Sequence, residues 1–120
     1  MKPLAKDNSI TPNPANFFSL PHPLPIDETF LPIIHTSQIL IEKIISVGHT
    51  TPADQWYDQD RDEWVMLLQG NATLAFEDGT MTDLAQGDYL LIPAHCRHRV
   101  IATSHEPHCI WLAVHGKLQA

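Results

Sequence analysis

The chain has 120 residues, enough for one domain and too few for two. Hydrophobic residues make up 43% of it, which sustains a core, while a net charge of −7 with only seven Lys and Arg argues against a nucleic-acid partner, because phosphate binding needs clustered basic side chains. No apolar run approaches the roughly 18 residues that span a bilayer, and the opening residues Met1 to Asp7 have no signal-like apolar stretch behind them, so no membrane partner is expected and the expected location is cytoplasmic, with Cys96 and Cys109 reduced.

Residues 1–28 are expected to form a proline-rich N-terminal arm. Pro3, Pro12, Pro14, Pro21, Pro23 and Pro25 fix φ and remove donors, so the arm should be extended and irregular. Phe17, Phe18 and Leu20 are too apolar for a purely solvated tail; the arm is expected to lie across the folded domain or reach a partner subunit, or else to be a loose terminus. Residues 29–116 read as the folded domain. A first strand is expected over 29–34 and a second over 38–47. In the second, Ile39, Ile41, Ile45 and Val47 share one face with Lys43, and Leu40, Glu42, Ile44 and Ser46 share the other.

Residues 48–62 form an acidic connection with Asp54, Asp58, Asp60 and Asp62. Residues 63–69 make the strongest strand, with Glu63, Val65 and Leu67 on one face and Trp64, Met66 and Leu68 on the other. Both faces are apolar, so both should be covered, and a homodimer is expected. Strands then follow over 72–77 and 80–84, joined by Asp78-Gly79, a two-residue hairpin signal. Further strands are expected over 89–92, 99–103 and 108–115. In the last, Cys109, Trp111 and Ala113 alternate with Ile110, Leu112 and Val114. Eight short strands at 8–12-residue spacing without a convincing helix mean an all-β sandwich or barrel.

Two stretches carry the chemistry. Glu63 opens an apolar strand that stops at Gly70; Gly87 leads through Tyr89 to Ile92 into Pro93, with His95 and His98 behind it. A carboxylate and imidazoles on neighbouring strands suit a metal or small-ligand site. His49, His105, His108 and His115 read as surface or strand-edge residues.

These stretches resemble the two motifs of the cupins, small double-sheet jelly-roll barrels (double-stranded β-helices). Gly87, Pro93 and His98 match the second motif, with His95 in place of its second glycine and Ala102 in place of its asparagine. Glu63 and Gly70 match the end of the first motif. Counting back from Glu63, Trp56 and Asp58 occupy its two histidine positions, and Gly48 stands two residues too far upstream. The resemblance covers about residues 38–115 and implies a divalent metal, Fe, Mn, Ni or Zn, held in the family by three histidines and one glutamate. Here the candidate metal ligands are His98, Glu63, His95 and Asp58, with Glu63 also a candidate catalytic base. His95 and His98, three apart, converge only if the chain bends between them. Trp56 and Tyr57 are candidate walls of a substrate pocket, and Arg97, with Arg99 beyond His98, a candidate clamp for a substrate carboxylate. The expected function is a metal-dependent enzyme of oxygenase or isomerase type acting on a small polar organic molecule. The alternative is a non-catalytic ligand-binding or sensing barrel that has lost its metal.

Overall fold

A computed structural model describes residues 12–120 of the chain; of the proline-rich arm, residues 1–11 lie outside the described residues. Eight strands follow one another: β1 (Thr29–His35), β2 (Leu40–Ser46), β3 (Asp62–Gln69), β4 (Ala72–Phe76), β5 (Met81–Leu84), β6 (Tyr89–Ile92), β7 (His98–Thr103) and β8 (Cys109–Gly116). All strand pairs are antiparallel, in a five-stranded sheet of order β1-β2-β8-β3-β6 and a three-stranded sheet of order β5-β4-β7. This is the expected all-β double-sheet jelly roll. None of the described residues forms a helix long and apolar enough to cross a membrane.

The inner faces of the two sheets meet in one core. Ile44, Val65, Leu67, Leu74, Leu84, Ile92, Cys109, Trp111 and Ala113 are buried together, with Phe76, Leu90, Cys96 and Val100 packed against them. Strand alternation explains the set, since Val65 and Leu67 share a face of β3 while Cys109, Trp111 and Ala113 share a face of β8. In β2 the inward face is the more polar one. Ile44 enters the core, and Glu42 and Ser46 go in beside it. The isoleucine-rich face of β2 looks outward, where Ile45 pairs with Ile110 of β8 and both are still buried.

Part of the described arm lies along this outer face. Lys43 Nζ donates to the carbonyls of Phe17 at 3.0 Å and Ser19 at 2.7 Å and stands 5.5 Å from the Phe17 ring. A lysine on a nearly closed surface is tolerable because its charge is solvated by carbonyls rather than left bare. Of the readings open for the arm, residues 17–19 follow the one that lays it across the barrel.

Gly70, between β3 and β4, is held with φ +94, and a Cβ there would stand 2.7 Å from Ser104 Oγ and 2.8 Å from Cys109 Sγ. No side chain fits, so the motif glycine is demanded by close approach as well as by conformation.

Candidate active site

Because β3 alternates, Glu63 points inward with Val65 and Leu67 and is buried at the mouth end of the core. β7 begins at His98, which is 6% exposed. Its Nδ1 donates to the Cys96 carbonyl at 2.9 Å, so Nε2 is the atom that faces Glu63, 3.6 Å from Oε1. That is an ion-pair distance rather than a hydrogen bond.

The five-stranded sheet adds two residues that the sequence reading left out. His115 lies directly across from Glu63 in the β3–β8 ladder. It is 6% exposed, and its Nε2 stands 2.9 Å from Glu42 Oε1 and 3.8 Å from Glu63 Oε2. Its Nδ1 is 3.2 Å from Gln59 Oε1, a partner that takes the Nδ1 proton. The expectation that His115 is a surface or strand-edge residue is therefore overturned. It continues the inward row of Cys109, Trp111 and Ala113, and that parity was the available signal. Glu42, on β2, shares the inward row with Ile44.

Tyr57 and Gln59 complete the polar wall. Tyr57 is clamped beside His98 by an isolated antiparallel bridge, its N–H donating to the His98 carbonyl at 2.7 Å and its ring centroid lying 5.6 Å from the imidazole. These side chains line a cavity of about 70 Å³ whose apolar walls include Ile44, Val65, Leu74 and Trp111. Glu28, which accepts from Ser46 Oγ at 2.5 Å, is its third carboxylate, and among the described residues neither Lys nor Arg lines it.

The electrostatics follow. For His98, burial disfavours the imidazolium, but the contact with Glu63, the Cys96 carbonyl and the Glu63 charge outweigh it and raise the pKa above the ordinary histidine value. The Tyr57 hydroxyl is pushed up by burial and by the charges of Glu28, Glu63 and Glu42, against a Thr51 hydrogen bond that lowers it, so it stays a protonated donor. Asp62, one residue from Glu63 and on the opposite face, is pulled down by the Ala94 and Leu118 amides and the Gln119 side chain. It ties the loop before His98 to the segment after β8.

The remaining sequence-expected residues are placed elsewhere. His95 takes the bend at φ 64, where the family has glycine, and this bend turns its ring outward with a side chain 70% exposed. Asp58, 45% exposed, pairs with His95 at 3.0 Å and lies 3.9 Å from Arg97 Nε, while Arg97 also pairs with Glu77. Trp56 carries Arg99 over its ring at 5.4 Å and does not line the cavity, and neither does Arg97. The structure therefore brings Glu63, His98 and Tyr57 together and separates Asp58, His95, Trp56 and Arg97 from them. The physical reason is parity: the connection before β3 is effectively one residue shorter than the motif count assumed, so Tyr57 and Gln59, not Trp56 and Asp58, take the inward positions.

A double-sheet jelly roll with a glutamate and a histidine facing each other inside it is the arrangement that the two sequence motifs mark. The model of the cupin domain matches residues 44–115, and the chain belongs to that family. It is similar over 88% of its length, and 99% of the other chain, to a proposed mannose-6-phosphate isomerase from Ralstonia eutropha JMP134, at 41% identity and a TM-score of 0.81. A cupin superfamily protein from Desulfitobacterium hafniense DCB-2 shares the fold at 19% identity and a TM-score of 0.66, covering 86% of this chain and 99% of that one. An RmlC-like cupin from Methanocaldococcus jannaschii does so at 15% and 0.62, covering 76% and 81%. A search of curated proteins finds no match to this chain.

Proposed function

We propose that this cupin is an enzyme of isomerase type that uses a divalent cation in the barrel cavity and acts on a small, uncharged polar molecule. The observation that carries this reading is the pairing of Glu63 with His98 on the wall of a cavity lined by three carboxylates and, among the described residues, no Lys or Arg. Such a wall attracts a cation and repels phosphate or carboxylate groups. The volume, about 70 Å³, is far below the roughly 300–1,000 Å³ of sites for drug-sized ligands. The similarity to a proposed sugar-phosphate isomerase supports the isomerase type, while the charge of the lining argues against the phosphorylated substrate of that name.

The donor set fits a cation in part. Imidazole and carboxylate suit Fe, Mn, Ni or Zn. Glu63 and His98 are in place, but Tyr57 and Gln59 stand where the family has its other two histidines. A divalent cation held there would polarise a carbonyl or hydroxyl oxygen. Glu63 would hold the proton removed from carbon, His98 would fix the orientation of Glu63, and the Tyr57 hydroxyl would donate to a substrate oxygen. The second reading, a ligand-binding barrel without chemistry, is favoured by one observation: among the described residues no three metal-ligating side chains form a ready-made group.

Metal content by plasma mass spectrometry on untagged protein, with His98→Ala alongside, separates the two. Near-stoichiometric metal that drops in the variant supports the enzyme. Protein that takes up no added divalent ion overturns it. The expected homodimer remains part of the proposal. Phe30, Ile33 and Ile34 on the edge strand β1 are about half exposed and offer an apolar seam, which light scattering on the purified chain tests.

A further inference from the structure

The outer face of the five-stranded sheet is apolar from one edge to the other. Strand parity sets Ile34 of β1, Ile41 of β2, Leu112 of β8, Trp64 of β3 and Leu91 of β6 on it. Among the described residues its only charged strand positions are Lys43 and Asp62, and the chain satisfies both. Lys43 donates to the carbonyls of Phe17 and Ser19, and Asp62 accepts from the amides of Ala94 and Leu118.

The two halves of this face differ. On the β2 side Lys43, Ile45 and Ile110 are buried, and residues 17–19 of the arm are fastened at Lys43. On the β6 side Tyr89 is 65% and Leu91 40% exposed, with the Tyr89 ring 5.5 Å from that of Trp64. The arm in turn shows apolar side chains to water, Phe18 at 53% and Ile26 at 93%. These side chains are not displayed by a loose end. Lys43 holds the backbone on either side of Phe18, and His49 Nε2 donates to the Ile26 carbonyl at 2.7 Å. One half of the face is thus raised by a fixed arm, the other is bare, and both present apolar groups that gain by being covered.

We infer that this face binds a second copy of the chain, back to back, about a two-fold axis running along β8. The sheet order β1-β2-β8-β3-β6 puts β8 in the middle. Turning one copy about that strand brings the β1 side of each sheet over the β6 side of the other, at both ends at once. The raised half of each copy then fills the bare half of its mate, and Phe18 covers the Tyr89–Leu91 edge. A two-fold contact needs this kind of self-complementary surface. With Lys43 and Asp62 already satisfied, the face offers no free charge by which to select a different protein. Extension of the sheet through the β1 edge is the poorer arrangement, because Pro32 and the register shift between Pro32 and Ile34 interrupt a ladder there. The inference gives the homodimer expected above a surface and an axis, and it is independent of the cation.

The test is sedimentation equilibrium of the full chain beside Leu91→Glu and Phe18→Glu, changes at exposed positions that leave the barrel interior untouched. Wild type is expected to be a dimer that tightens as salt is raised, since each copy carries a net charge of −7. Each glutamate should weaken association by more than about tenfold with an unchanged circular dichroism spectrum. Chains carrying Phe18→Cys, mixed with chains carrying Leu91→Cys, should be joined by a short thiol-to-thiol linker, and neither variant should join to itself above the level that Cys96 and Cys109 give in wild type. Leu91→Cys chains that join to each other place β6 over β6 and overturn the axis. A dimer that tolerates both glutamates but is split by Ile33→Glu overturns the inference and leaves the β1 seam standing. A monomeric wild type overturns the homodimer as well, and one that binds neutral lipid vesicles assigns the face to a membrane instead. The metal measurement above is unaffected by any of these results.

Discussion

Two clusters of histidine and carboxylate draw on the same stretches of chain, Asp58 beside Glu63 and His95 beside His98, and they are not equivalent. Inside the barrel, Glu42, Glu63, His98 and His115 are each less than one-tenth exposed and are held by strands β2, β3, β7 and β8. Outside it, Asp58 and His95 pair in water with Arg97 and Glu77 close by. The residue types are nearly the same. What differs is the solvent. A surface pair gains little because water competes for every contact, whereas a buried acceptor that loses its partner stays uncompensated. The buried cluster is thus the one able to hold a charge in a fixed place.

The comparison breaks first where the difference is largest. Removing one member of the buried cluster with Glu42→Ala should cost about 3–5 kcal/mol in metal-free protein, read from urea denaturation, because His115 loses its nearest partner. Asp58→Ala on the surface should cost no more than about 1 kcal/mol. Equal losses would remove the distinction. Proton occupancy comes next. The raised His98 pKa means that its stabilising contact with Glu63 is fully present below about pH 6.5 and is lost as pH rises through the higher folded value. The stability gap between wild type and His98→Gln should therefore shrink as pH rises through the raised folded value; a gap that widens contradicts this assignment.

Asp62 gives a sharper version of the same contrast, with the opposite sign. Its depressed carboxyl contributes stability above the ordinary aspartate value and loses it as pH falls. Asp62→Asn should lower Tm at neutral pH and match wild type in acid, since the amide oxygen accepts more weakly from Ala94 and Leu118. The smallest effect is expected for His95→Ala, within about 0.5 kcal/mol by denaturation.

The architecture was legible because strands announce themselves by alternation and turns by Gly, Pro and Asp. Glu63 and His98 were legible because each stands at a fixed spacing from an architectural residue, Gly70 in one case and Gly87 with Pro93 in the other. The rest of the site was hidden for two reasons. His115 and Glu42 lie 73 residues apart in the chain and meet only because β2 and β8 become neighbours. The motif count puts Trp56 and Asp58 at the two histidine positions, whereas Tyr57 and Gln59 line the cavity, because a change of one residue in the loop's effective length shifts parity and exchanges the inward and outward sets. His95 replaces a motif glycine and keeps its bend, so the backbone was readable there while the direction of the ring was not.

The most direct measurement is a crystal structure of the Mn²⁺- or Co²⁺-loaded chain with anomalous data collected at the metal edge. The expected result is one peak inside the barrel cavity, beside Glu63 and His98. A barrel without a peak at full soaking, or a peak at Asp58 and His95 instead, would contradict the account.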